Sequence, residues 1–94
     1  MSYVSISNWT VTDWTPEMEA LAREKYVPLV MSVGAKSVKM VRTSDSSFSV
    51  VTTYKDEATA KSAAAKIAEI RAQAAGELPM KMVDVVAGEV FAKN

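Results

Sequence analysis

Ninety-four residues with eleven basic and eleven acidic side chains leave no net charge, and so no counterion-release drive toward nucleic acid and no polybasic attraction to an anionic membrane. The absence of histidine and cysteine excludes disulfides, thiolate nucleophiles, sulfur-type zinc sites and the commonest general base. At 49% hydrophobic and 23% charged the chain is too apolar for disorder, and its length supports one hydrophobic core, so residues 1–94 are read as a single domain.

Tyr3 to Val11 opens with Val4 and Ile6 alternating with Ser5 and Ser7, the two-residue period of a strand. Thr15-Pro16-Glu17 then supplies an N-cap, a proline whose missing N–H costs nothing in the first turn, and an acid at the positive end of the helix dipole. Met18, Ala22, Tyr26, Leu29 and Val33 mark the apolar stripe of that helix. Pro28 falls inside the stripe and removes one intrahelical bond, which predicts a kink or break after about Tyr26 before the helix ends at Gly34. Ser37–Thr43 and Phe48–Tyr54 read as a hairpin across the turn-forming Ser44-Asp45-Ser46-Ser47. Asp56 caps a second helix whose stripe is Ala60, Ala63, Ile67, Ile70 and Ala74, ending near Gly76. Met80–Ala87 is the last strand, with Gly88 as the expected bulge.

This order, βαββαβ, predicts an α+β, ferredoxin-like fold: a four-stranded antiparallel sheet in the order 4-1-3-2 with two helices on one face. Strands one and three are expected to be central and parallel. Alternation assigns Val4, Ile6, Val38, Met40, Phe48, Val50, Val83 and Val85 to the helix side. Tyr3, Trp9, Val41, Val51, Met82 and Val86 then share the other side with serines, threonines, Lys39 and Asp84. Those six make a larger apolar patch than monomers usually expose and define an expected homodimer interface, with the chain itself as partner. A monomer with an ordinary solvated sheet face is the alternative.

The Val4-Ser5-Ile6-Ser7-Asn8-Trp9 strand, the proline-interrupted Tyr26-Val27-Pro28-Leu29, the strand entry from Gly34 to Thr43 and the long final strand together resemble the dimeric α+β barrel superfamily. That group holds small antibiotic-biosynthesis-type monooxygenases that need no metal or flavin, haem-degrading relatives, isomerases and members without known activity. The resemblance implies a pocket between sheet and helices, with an asparagine late in the first strand among its polar groups. Asn8 matches that place, and the assumed parity and strand order set its amide beside Thr52 and Tyr54. Asn8 also has the plainer reading of a residue that ends its strand by bonding backbone. Tyr26 is a candidate phenol from the first helix, or a packing residue with its hydroxyl at the edge. Arg42 is read as a surface ion-pair partner, and Trp14 as a staple of the helix start or a lid. A haem-degrading role is disfavoured because the family's histidine ligand has no counterpart.

Three functions stay open: a homodimer holding a small, mostly apolar molecule, a cofactor-free oxygenase of phenol-like or quinol-like substrates, and a purely structural dimer. The candidate ligand-binding residues are Asn8, Thr52, Tyr54 and Tyr26. No catalytic residue is identified, and no metal or cofactor is expected. Met1 to Ser5 lacks a basic then apolar leader pattern and no stretch approaches eighteen apolar residues, so a cytoplasmic protein is the expectation.

Overall fold

In the computed structural model, which describes Met1–Asn94, the chain runs β1 (Tyr3–Val11), α1 (Pro16–Leu21), a π-helical turn (Ala22–Tyr26), α2 (Val27–Ser32), β2 (Ser37–Ser44), β3 (Ser47–Tyr54), α3 (Glu57–Glu77) and β4 (Met80–Glu89). The sheet order is β2-β3-β1-β4, the expected 4-1-3-2, and the fold is α+β with the helices gathered on one face. One detail is corrected. β1 and β3 are the two central strands, but they pair antiparallel. The helical crossover returns β2 parallel to β1, and the Asp45-Ser46 turn reverses the chain again, so β3 must oppose both.

Local chemistry accounts for each helix. Thr15 Oγ1 accepts from the Met18 N–H at 3.1 Å and Pro16 takes the first helical position. The expected break at Pro28 takes a milder form. Proline has no N–H to offer the carbonyl four residues back and its ring crowds that carbonyl, and the chain widens ahead of it into a π turn. There the Val27 N–H reaches back five residues to the Ala22 carbonyl, and helical geometry resumes through Ser32. Gly34 follows at φ +111°, a left-handed conformation in which a Cβ would be strained. Asp56 Oδ1 accepts from both the backbone and hydroxyl of Thr59, at 2.8 and 2.7 Å, and starts α3.

The register settles which side chains share a face, and here β1 reverses the expectation. Trp9 and Val11 pack with Phe48 and Met18 under the helices, so the odd positions of β1 (Tyr3, Ser5, Ser7, Trp9) face inward. Val4, Ile6 and Asn8 belong to the open face. β4 carries its bulge at Val83, not Gly88: Asn8 pairs with Asp84 and Trp9 with Met82, leaving Val83 between them. The extra residue turns Met82 inward while Asp84 and Val86 stay on the open face. Of the six residues expected at a dimer interface, Tyr3, Trp9 and Met82 therefore lie on the helix side, and Val41, Val51 and Val86 on the open one.

The inner side holds two apolar clusters. Val30, Ala35, Tyr54, Ala63 and Ile67 close one end, and Trp9, Val11, Met18 and Phe48 close the other. The Trp9 and Phe48 rings stack at 5.9 Å, with Trp14 edge-on to Phe48. No helix is long and apolar enough to cross a membrane.

Candidate functional site

Between the two clusters lies a cavity of about 490 Å³, with 15 hydrophobic residues among the 21 that line it. Interiors are usually close-packed, with few voids larger than a water molecule, so a space of this size between sheet and helices marks a candidate site. The sheet supplies its floor through Ser7, Met40, Val50 and Thr52, and α3 one wall through Ile67, Ile70, Arg71 and Ala74. The π-helical turn supplies the opposite wall. Its wider spiral brings Ala22, Arg23 and Tyr26 all to the cavity, a device often found where a helix serves a site.

Polar groups are few, and most are already occupied. Ser7 Oγ, buried, accepts from Trp9 Nε1 at 2.8 Å. Trp14 Nε1 donates to Glu19 Oε2, and the Arg42 guanidinium lies 4.2 Å above the Trp14 ring. Arg42 also donates to the Ser44 carbonyl at 3.2 Å and sits 3.9 Å from Asp45 at the surface. Two groups stand apart. Tyr26 is buried, and burial, aided by the Glu77 carboxylate beside its Oη, pushes its phenol pKa up. Arg71 is half-buried, its Nη2 lies 3.3 Å from the neutral Ser5 Oγ, and burial lowers its pKa while the Tyr54 phenol opposes that shift.

The four residues expected to gather at a ligand are not gathered. Thr52 and Tyr26 line the cavity. Asn8 does not: it is on the open face, where its Nδ2 donates to Asp84 Oδ1 at 2.7 Å and its Oδ1 accepts from Ser49 Oγ at 2.6 Å. Because β1 and β3 run antiparallel, Asn8 pairs with Ser49, while Thr52 and Tyr54 pair with Ser5 and Tyr3 toward the other end of the strand. Tyr54 is buried in the cluster of Val30, Ala63 and Ile67 rather than in the cavity wall, and burial raises its pKa against the lowering influence of Arg71. Trp14 does line the cavity, and so does Arg42, beside its surface ion pair.

Arg71 escaped the sequence reading although its position was informative. It sits four residues after Ile67 and three before Ala74, on the apolar stripe of α3, where a charged residue faces inward.

No family model and no curated protein matches the chain. Among solved structures it resembles Rv0793 from Mycobacterium tuberculosis, at TM-score 0.63 and 12% identity over 99% of this chain and 98% of that one. It also resembles the NE2512 protein of unknown function from Nitrosomonas europaea, at TM-score 0.61 and 20% identity over 100% of this chain and 94% of the other. At these identities the likeness is one of fold: a compact α+β fold shared with proteins from Mycobacterium tuberculosis and Nitrosomonas europaea.

Proposed function

We propose that the protein binds a small, mostly apolar molecule in the cavity between sheet and helices, and that it does so as a twofold homodimer. The observation that carries the first part is the cavity itself. Its volume of about 490 Å³ lies within the roughly 300–1,000 Å³ usual for small-molecule sites, and apolar walls with a few convergent polar groups are the usual lining. A cavity this size in a small domain leaves unmade the packing contacts that would otherwise stabilise it, a cost offset when a ligand fills the space.

Support for the dimer comes from surface. A 10.2 kDa monomer is expected to expose roughly 5,300 Å², and this chain exposes 5822 Å². Several large apolar side chains are among the exposed residues. Val41 and Val86 on the open face are 46% and 59% exposed, Val83 at the bulge is 61% exposed, and Phe91 beyond the edge strand β4 is almost bare. A second copy of the same sheet, packed face to face, covers that patch without requiring any other protein. The Asn8 amide enters such an interface with hydrogen bonds to Asp84 Oδ1 and Ser49 Oγ already made, which limits its own desolvation cost.

Binding without chemistry is preferred to oxygenase activity because Asn8, the amide that motivated the oxygenase reading, is outside the cavity. Calorimetric titration of the purified protein with 2-naphthylmethanol tests the ligand reading: saturable binding of one molecule per chain is expected, and no heat of binding contradicts it. Sedimentation equilibrium tests the dimer, with about 20 kDa expected, twice the chain mass, and 10.2 kDa contradicting it.

A further inference from the structure

Arg71 is the partly buried cation that has no carboxylate partner. Arg42 has Trp14, Asp45 and the Ser44 carbonyl around it, and Lys25 is held by Glu77 at 2.7 Å. Arg23 is exposed to water. Arg71 is half-buried beside Ile67, Ile70 and Ala74, and takes part in none of the chain's four salt bridges. Its contact with Ser5 Oγ, at 3.3 Å, is long and neutral. A guanidinium carries five N–H donors in a planar fork, and since no Arg71 nitrogen is both buried and unpartnered, the donors not spent on Ser5 are accessible to an arriving anion.

The register shows how a ligand would lie. Ser5 pairs with Thr52, so the tip of Arg71 sits over that rung of the sheet. The Trp9–Phe48 rung, where the aromatic rings stack, is four residues further along β1, about 13 Å away at the usual rise per residue. The aromatic rung also carries Arg42, which pairs with Phe48, but that guanidinium is already engaged by the Trp14 ring, the Ser44 carbonyl and Asp45, so Arg71 at the Ser5–Thr52 rung is the cation left for a ligand. We propose, on the reading that this cavity is a ligand site, that its occupant is a small aromatic carboxylic acid, the carboxylate held by the Arg71 fork and the rings directed toward Trp9 and Phe48. Arginine and carboxylate match in a bidentate pair, which supplies orientation as well as affinity.

The test compares 2-naphthoate with 2-naphthylmethanol, which have the same rings and differ in the charged group, by calorimetry on the full chain. The acid is expected to bind about tenfold or more tightly in the wild type, the usual scale of a charge-assisted hydrogen bond. Arg71→Met keeps much of the side-chain length without the charge, and should bring the two affinities together. Arg71→Lys keeps the charge without the fork and should give an intermediate ratio, and it carries the test if the methionine variant does not fold. Equal affinities in the wild type overturn the carboxylate proposal and leave the cavity reading intact, whereas binding of neither compound overturns both. An acid preference unchanged in both variants overturns the assignment to Arg71.

Discussion

On the inner face of the sheet, Trp9, Phe48 and Thr52 are almost wholly buried under helices, while Val41 and Val86 on the outer face are about half exposed. Both faces are apolar, yet their polar groups are treated differently. On the outer face the Asn8 amide bonds Asp84 and Ser49 across three strands. On the inner face the Arg71 guanidinium has no carboxylate partner and meets only the neutral Ser5 hydroxyl, beside the cavity. A surface whose amide is already paired is suited to docking against a flat apolar partner. One whose cation lacks a carboxylate is suited to a ligand that brings its own.

The contrast can be broken by substitution. The largest effect is expected at Trp9, which joins β1 to Phe48 and Met18: Trp9→Ala should cost about 3–5 kcal/mol of stability, read from urea denaturation. Val86→Asp on the outer face should instead leave the far-ultraviolet circular dichroism unchanged and halve the sedimenting mass. A folded variant that still sediments as a dimer would show that the outer face is not the interface. Ala22→Leu, reaching into the cavity from the π turn, should raise stability by about 0.5–2 kcal/mol and abolish binding of 2-naphthylmethanol. A destabilised variant would mean that the space is smaller than its walls indicate.

The smallest effect concerns the helix that covers the inner face. Hydrogen bonds from Thr59 hold the Asp56 carboxyl below its ordinary pKa. A lowered folded-state value contributes stability that is present above the unfolded pKa and lost as pH falls through the folded one. Asp56→Ala should therefore flatten the acid limb of the stability profile below about pH 4, with the thermal midpoint recorded at each pH.

Helix starts and stops were legible in the sequence because their chemistry is local. Thr15 with Pro16, Asp56, and Gly34 each act within a few residues of where they stand. Strand order followed from the order of elements. The facing of β1 did not, because two-residue alternation identifies the helix side only when the other side is polar, and here Val4 and Ile6 make the open face apolar too. The odd positions Trp9 and Val11 were the better guide, since the largest side chains gain most from burial. Reading β1 and β3 as parallel then placed Asn8 beside Thr52 and Tyr54, and the bulge at Val83 altered the parity of Met82 without a glycine to announce it. A pocket between sheet and helices was expected only through the resemblance, not from the residues themselves. Its volume arises from packing between elements, which no local pattern encodes.

The most direct test follows methyl resonances of the protein in solution as 2-naphthylmethanol is added. The account predicts shifts at Met18, Met40 and Val50, whose side chains meet the cavity, with Val41, Val51 and Val86 unmoved on the opposite face. Shifts confined to Val41, Val51 and Val86 would contradict it, locating the site on the outer face and leaving the inner space an unoccupied gap.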